Sequence, residues 1–219
     1  ADEEPYKGAL RMSAQNKAKQ IDKNLPNKLT VLRIILVPVF ILLLWLPAMT
    51  GGAVSDFTAR CLAAIVFAVS AATDFVDGKL ARKYELVSNF GKFMDPLADK
   101  FLIIGALLAA LPVYEAFEWA LVVCLVVIIF RELAVSSMRL IAKNAEGLVI
   151  AAALPGKIKT FSQCIFVLLL LLEEYVFAFS DFFVTYRPLT WTCMAVMVFF
   201  TIYSGIQYFH VYKRFIFDA

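Results

Sequence analysis

Four aspartates stand close together in the segment TDFVDGKLARKYELVSNFGKFMDPLADK, residues 73–100. Asp74 and Asp77 follow one another at helical spacing, as do Asp95 and Asp99, so each pair occupies one face of a helix. Two carboxylates about 4 Å apart repel by roughly 4 kcal/mol at an effective dielectric of 20, so four of them together require cations. An all-oxygen ligand set favours Mg²⁺ or Mn²⁺ over zinc, and four carboxylates can hold two such ions.

Small and cationic residues accompany the aspartates on the same helical faces. Gly78 and Ala81 remove side-chain bulk beside the first pair, Gly91 does so beside the second, and Arg82 offers a planar fork of donors. Arginine binds phosphate through two parallel hydrogen bonds, so this segment predicts a site for a phosphorylated substrate. The alternative, that the aspartates only pair with nearby lysines and arginines, explains one aspartate better than four on two faces.

The start of the first apolar segment offers a second group of candidates. Asn27 can cap a helix there, with Thr30 one turn and Arg33 two turns further on. The free amides and the positive dipole end of such a helix suit a phosphate. An ordinary helix cap, with an arginine that extends to the interface, explains these residues equally well.

Four more basic residues lie at the ends of later apolar segments, where a soluble acceptor carrying a phosphate could approach the aspartates. The orientation of membrane helices alone explains any one of them, so acceptor binding is predicted for the group and not for a particular pair. The residues are Arg131, Arg139, Lys157 and Lys159.

The elements that position these residues are predicted to be membrane helices. The chain is 62% hydrophobic and only 18% charged, with a mean hydropathy of +0.78, far from the composition of soluble domains. A helix needs roughly 20 apolar residues to cross the bilayer, and the apolar segments lack the alternation of barrel strands. The chain is therefore predicted to be an all-α integral membrane protein, a six-transmembrane-helix bundle. The predicted spans are residues 29–46, 57–76, 95–111, 119–138, 149–172 and 189–209.

Lysine and arginine are concentrated before the first span, in alternate connections and after the last span, while the other connections are mainly acidic. Positive connections stay in the cytoplasm, so both termini and the aspartates are predicted to be cytoplasmic, on a multi-pass protein of the cell membrane. This topology accounts for the net charge of +3, and no nucleic-acid partner is predicted. Residues 1–23 are predicted to be a polar leader or interfacial segment, and residues 24–219 a single transmembrane domain.

The aspartate segment resembles the signature of the CDP-alcohol phosphotransferase family. The pattern DxxDGxxAR, eight further residues and GxxxDxxxD match without a missing position. The resemblance implies that two metal ions, held by Asp74, Asp77, Asp95 and Asp99, grip the diphosphate of a CDP-linked lipid and that Asp99 is the base. The residues implied to contact the nucleotide and its diphosphate are Asn27, Thr30, Asp74, Gly78, Ala81, Arg82 and Gly91.

Further motifs are similar to one branch of this family, the phosphatidylglycerophosphate synthases. They are NLPNKLTVLRI, MDPLADK, RELAVSSMR and GKIKT. This similarity implies that CDP-diacylglycerol and glycerol 3-phosphate are the substrates, that the protein contacts membrane lipids and that it forms a homodimer.

Two alternatives remain open from the sequence. The same chemistry could use another acceptor, such as an inositol phosphate, serine or a second glycerolipid. The aspartate signature specifies only the CDP-linked substrate and not the acceptor. A cation-coupled transporter also places carboxylates within a membrane. The absence of a repeat and the clustering of the acids at one membrane face argue against a transporter, and metal-dependent release of CMP would distinguish the two.

Overall fold

The computed structural model describes three stretches of the chain, residues 25–84, 89–146 and 154–217. Their side chains are described within residues 27–73, 100–141 and 156–213, together with Met94, Leu97 and Ala98. The predicted leader, residues 1–23, lies outside the described residues. The helices are α1 (Leu25–Met49), α2 (Asp56–Tyr84), α3 (Asn89–Ala110), α4 (Glu118–Glu146), α5 (Leu154–Val176), the short α6 (Asp181–Tyr186) and α7 (Pro188–Phe217), with a 3-10 turn at Glu115–Phe117 before α4.

The prediction of an all-helical membrane protein is confirmed for the described residues, which contain no strand. Each of the six predicted spans overlaps one of the six long helices, although residues 149–153 of the fifth span lie outside the described residues. By length and composition, four stretches of the described residues can cross a membrane: Asn27–Met49, Asp56–Thr73, Glu115–Ile141 and Asp181–Lys213. The apolar part of α3, Lys100–Ala110, is shorter, because the first half of this helix carries aspartates. The chain is thus a multi-pass membrane protein.

Helices α1, α2 and α3 form one half of the core. The turn between α1 and α2 contains Gly51 and Gly52, both at positive φ, where glycine has no steric penalty. The rings of Phe40 on α1 and Phe67 on α2 pack with centroids 5.9 Å apart. A Cβ added at Gly105 would lie 2.9 Å from Val37 Cγ1, so α3 can approach α1 this closely only with glycine at that position.

Helices α5 and α7 pack together in the other half, and a buried carboxylate joins their ends. Glu173 accepts hydrogen bonds from the backbone amides of Leu189 and Thr190, at 2.9 and 2.6 Å. The predicted fifth span ends at residue 172, which puts Glu173 and Glu174 in the connection after it, whereas α5 continues through both residues to Val176. The unpaired amides at the start of α7 give the buried carboxylate its partners.

Candidate active site

The aspartate signature lies where α2 ends and α3 begins. Asp74 and Asp77 are on α2, and Asp95 and Asp99 are on α3, so the helical spacing predicted for both pairs is confirmed. The side chains of these aspartates, and those of Gly78, Ala81, Arg82 and Gly91, lie outside those that the structure describes. The levels of their backbones along the bundle follow from the described contacts of the same helices. We call this part of the molecule the aspartate end.

Contacts between α1 and α2 place Arg33 level with the first aspartate. The two helices are joined by a short turn and run antiparallel, with Phe40 against Phe67. About two turns from these rings toward the aspartate end, α1 reaches Arg33 and α2 reaches Asp74. Arg33 is only 1% exposed and so is Thr30, one turn nearer the end.

Contacts between α1 and α3 bring Asp99 to the same level. Gly105 lies beside Val37, and Trp45 Nε1 donates a hydrogen bond to the carbonyl oxygen of Ala109 at 2.8 Å, so the two helices run parallel. Counting back along both helices from these contacts places Asp99 within one turn of Arg33. Asp74 and Asp99 therefore share one level of the bundle, and the buried Arg33 of α1 belongs to the same level.

Helix α5 contributes a lysine at this level. Arg60 on α2 binds Glu174 at 2.7 Å, and the ring of Phe57 packs on that of Tyr175 with centroids 5.0 Å apart, which indicates antiparallel packing of α2 and α5. About four turns from the Arg60 contact, α2 reaches Asp74 and α5 reaches the turn that contains Lys159.

A carboxylate on α4 holds two of the predicted acceptor-binding cations. Glu132 Oε1 accepts a hydrogen bond from Arg131 Nη1 at 2.8 Å and another from Lys159 Nζ. The side chains of Arg131, Glu132 and Lys159 are only 10%, 13% and 8% exposed. This buried group connects α4 to α5.

Ser136 on α4 is bonded to the aspartate-bearing segment of α3. Lys100, the residue after Asp99, donates a hydrogen bond from Nζ to Ser136 Oγ at 2.5 Å. Ser136 Oγ in turn donates to the backbone carbonyl oxygen of Glu132, one turn earlier on the same helix, at 2.6 Å. Helices α3 and α4 are thus joined next to Asp99 by the contact of Lys100 with Ser136.

Tyr208 on α7 joins the third predicted cation to the group. Arg139 Nη2 donates a hydrogen bond to the Tyr208 hydroxyl at 2.6 Å. The guanidinium carbons of Arg139 and Arg131 lie 4.9 and 5.5 Å from the centroid of its ring, within the range of a cation–π interaction. Helix α7 lies so close to α4 at this point that a Cβ added at Gly205 would be 3.3 Å from Arg131 Cγ.

The resulting cluster holds two cations on one carboxylate and a third cation beside them. Arg131 and Lys159 both bind Glu132, and Arg139 joins them through Tyr208. Arg131 Nε is buried and has no hydrogen-bond partner among the described side chains. Arginine and lysine side chains around a partly desolvated position suit a phosphate group, so this cluster can bind a phosphate beside the aspartates.

Comparison with known proteins agrees with this arrangement. Residues 23–203 match the model of the CDP-alcohol phosphatidyltransferase family. The chain belongs to the CDP-alcohol phosphatidyltransferase family. It is therefore a phosphatidyltransferase, and the predicted family resemblance is confirmed.

Two relatives cover nearly the whole chain. A Bacillus subtilis protein named CDP-diacylglycerol--glycerol-3-phosphate 3-phosphatidyltransferase is 43% identical over 190 residues, which are 85% of this chain and 93% of the relative. A Rickettsia felis protein with the same name is 35% identical over 196 residues, 90% of this chain and 99% of the relative.

The structure brings together only some of the basic residues that the sequence suggested for this phosphatidyltransferase. Arg131, Arg139 and Lys159 meet around Glu132 and Tyr208. Lys157 is exposed and makes none of these contacts, because residues two apart on a helix point in different directions. On α1, Asn27 is half-buried. The interpretation of Arg33 as an arginine that extends outward is wrong, since its side chain is buried.

Sequence reasoning missed Glu132 and Tyr208. The signal for Glu132 was present, because an acidic residue inside an apolar helix is unfavourable unless it is paired, and Arg131 is its neighbour. Tyr208 gave no such signal, since α7 contains several aromatic residues in similar apolar surroundings. Only the packing of α7 on α4 distinguishes Tyr208 from the other aromatic residues of α7.

One cavity among the described residues lies at the opposite end of the bundle. Its volume is about 530 Å³, and its lining includes Trp45, Asp56 and Arg60. No predicted site residue lines it. Because Arg60 already pairs with Glu174, this cavity does not account for the chemistry of the family.

Proposed function

We propose that this enzyme transfers the phosphatidyl group of CDP-diacylglycerol to glycerol 3-phosphate, giving phosphatidylglycerophosphate and CMP. The names of both relatives support these substrates. The observation that carries the proposal is the group of Arg131, Arg139 and Lys159, held around Glu132 and Tyr208 at the level of the aspartates. A phosphate-bearing acceptor needs such a group close to the reacting centre.

The topology proposed for the enzyme has six membrane spans, with both termini and the aspartate end in the cytoplasm. The distribution of lysine and arginine supports it. Glycerol 3-phosphate is soluble and anionic, so an active site open to the cytoplasm would receive it directly. Residues 1–23 would be a leader or interfacial segment before the transmembrane domain of residues 24–219. Exposed apolar faces on α4 and α7 suit contact with membrane lipids and pairing as a homodimer.

Divalent metal is proposed at the aspartates, as two Mg²⁺ or Mn²⁺ ions. The donor set fits, because it consists of carboxylates on α2 and α3, and the described contacts place Asp74 and Asp99 at one level. Asp74, Asp77, Asp95 and Asp99 would hold the ions. When bound, the metal supplies positive charge that neutralises the diphosphate and the charge that develops as CMP leaves.

The reaction would begin when Asp99 takes the proton of an acceptor hydroxyl. The acceptor oxygen then forms a bond with the phosphorus on the lipid side of the diphosphate, and the bond from that phosphorus to the CMP oxygen breaks. Glycine and alanine on the α2 face would leave space for the nucleotide, and Arg82 would neutralise its phosphates. The residues proposed to line the nucleotide and diphosphate position are Asn27, Thr30, Asp74, Gly78, Ala81, Arg82 and Gly91.

The acceptor phosphate would lie against Arg131, Arg139 and Lys159. Its placement there would set the position of the glycerol hydroxyl relative to Asp99, and the hydrogen bond from Lys100 to Ser136, which joins α3 to α4, supports a fixed arrangement of the two helices. Lys157, exposed at the start of α5, would attract the anionic acceptor from solution.

The proposal is tested by CMP release from CDP-diacylglycerol with the purified protein in detergent micelles and Mg²⁺ or Mn²⁺. The acceptors are glycerol 3-phosphate, an inositol phosphate, serine, phosphatidylglycerol and glycerol, the last being a control that lacks only the phosphate. We expect turnover with glycerol 3-phosphate and almost none with glycerol. Turnover with another acceptor alone would refute the proposed substrate, and equal turnover with glycerol would refute the role of the cationic cluster.

A further inference from the structure

Glu132 is an acidic residue in the middle of a group that is otherwise cationic. One of its carboxylate oxygens, Oε1, accepts hydrogen bonds from both Arg131 Nη1 and Lys159 Nζ. The two donors come from different helices, and their side chains are at most 10% exposed. A buried cation without a counter-charge is strongly unfavourable, so this carboxylate allows the two cations to stay close together when no ligand is bound.

Two cations share the one carboxylate of Glu132. Arg131 and Lys159 carry two positive charges and Glu132 one negative charge. The three side chains together keep a net positive charge, which the acceptor's phosphate could neutralise. Arg131 Nε, which has no partner among the described side chains, is a further donor available in this region.

The helix that carries Glu132 is also tied to the segment that carries Asp99. Ser136, one turn after Glu132 on α4, accepts a hydrogen bond from Lys100 Nζ, and Lys100 follows Asp99 in the sequence. This contact limits movement of α4 relative to the aspartate proposed as the base.

We propose that Glu132 is a positioning residue, which holds Arg131 and Lys159 side by side so that together they bind the acceptor phosphate at a fixed distance from Asp99. This inference rests on the proposed function, since it assumes that these two cations contact the acceptor. Glu132 itself does not touch the reacting atoms and repels the phosphate it helps to place, so its effect must act through its two partners.

The first test is Glu132→Gln, a change that keeps the shape of the side chain and removes its charge. We expect the KM for glycerol 3-phosphate to rise about tenfold or more, as for loss of a hydrogen bond to a charged group, while the KM for CDP-diacylglycerol stays within about twofold. Glu132→Asp keeps the negative charge but moves it away from Arg131 and Lys159 by the length of one methylene group. We expect this variant to have an intermediate KM for glycerol 3-phosphate. Glu118→Gln, at an exposed position of the same helix, is the matched control and should resemble the parent enzyme.

An unchanged or lower KM for glycerol 3-phosphate in Glu132→Gln would overturn the proposal, as would an equal rise in both KM values, which indicates a general structural role. If Glu132→Gln does not fold, the same two KM values of Glu132→Asp decide between these outcomes.

A double-mutant cycle separates this inference from the proposed function. Lys159→Met should raise the KM for glycerol 3-phosphate, and adding Glu132→Gln to it should raise that KM by much less than Glu132→Gln does alone, because the two residues act together. Additive effects would overturn the role of Glu132 and leave the cationic site intact. An unchanged KM in Lys159→Met would refute the proposed acceptor site, and the inference about Glu132 with it.

Discussion

The two ends of the helix bundle both contain buried charges, but the cations at the two ends have different partners. The end of the bundle opposite the aspartate end contains Arg60, and we call it the Arg60 end. There, Arg60 binds Glu174 at 2.7 Å, and Arg187 lies 3.7 Å from the same carboxylate. Arg187 also donates to the carbonyl oxygen of Leu170 at 2.5 Å, and Glu173 accepts from the amides that begin α7. Both arginines thus contact Glu174, and the neighbouring Glu173 adds a second negative charge to this group.

At the aspartate end, where the four aspartates are the proposed metal ligands, Arg131 and Lys159 share Glu132, and Arg139 binds the Tyr208 hydroxyl. Breaking a buried ion pair is strongly destabilising because it leaves an unpaired charge, so a cluster with matched charges stabilises the fold. A cluster with surplus positive charge is suited to an anion that arrives and leaves. The comparison therefore separates residues of similar type and burial into a structural group and a ligand-binding group.

The largest effect is expected from Asp99→Asn, which removes the proposed base from the α3 segment. CMP release with glycerol 3-phosphate should fall by at least about a hundredfold, the usual contribution of a general base, while the thermal unfolding midpoint changes little. Asp181→Asn, at an exposed position near the Arg60 end, is the control and should keep full activity. Comparable activity in the two variants would contradict the assignment of the base.

A loss of stability is expected from Glu173→Ala at the Arg60 end. Glu173 is 1% exposed and accepts two amide hydrogen bonds as well as one from Thr190 Oγ1 at 2.5 Å. Removing a buried charged acceptor should lower the free energy of unfolding by about 3 kcal/mol. Unfolding of the variant in detergent measures this, and the KM values of the folded fraction should remain those of the parent.

Glu118→Gln, exposed near the same end, is the control for stability and should unfold with the parent. A raised KM for glycerol 3-phosphate in Glu173→Ala, without loss of stability, would break the distinction between the two ends.

The opposite pattern is expected from Lys159→Met, which removes a cation from the aspartate end and keeps a side chain of similar length. The KM for glycerol 3-phosphate should rise about ten- to hundredfold, as for a charge-assisted hydrogen bond, with the unfolding midpoint unchanged or raised. Lys213→Met, at an exposed position of α7, is the matched control. A large loss of stability with no change in KM would place Lys159 in the structural group.

These two groups could be separated only in part from the sequence. The helices and the faces of Asp74, Asp77, Asp95 and Asp99 follow from spacing, because periodicity is local. The partners of Arg131 and Lys159 do not, since Glu132 meets Lys159 across two helices, and tertiary packing decides which of two neighbouring lysines is buried. The acids at the end of α5 were assigned to a connection because charge suggests exposure, whereas hydrogen bonds to the start of α7 allow Glu173 to be buried.

The smallest effect, and the finest test of the comparison, is expected from Tyr208→Phe. This change removes the hydroxyl that accepts from Arg139 Nη2 at 2.6 Å and retains the ring beneath Arg139 and Arg131. Loss of one hydrogen bond to a cation that keeps its other contacts should raise the KM for glycerol 3-phosphate roughly three- to tenfold, with the KM for CDP-diacylglycerol unchanged.

Tyr203→Phe is the matched control on the same helix, because Tyr203 is 49% exposed and its ring stacks on Phe199 away from the cations. Its KM values should equal those of the parent. If Tyr208→Phe also behaves like the parent, the ring alone orders Arg139; if it loses stability without a change in KM, Tyr208 belongs with the structural residues. A selective rise in the KM for the acceptor would instead extend the ligand-binding group to α7, a helix without any of the signature aspartates.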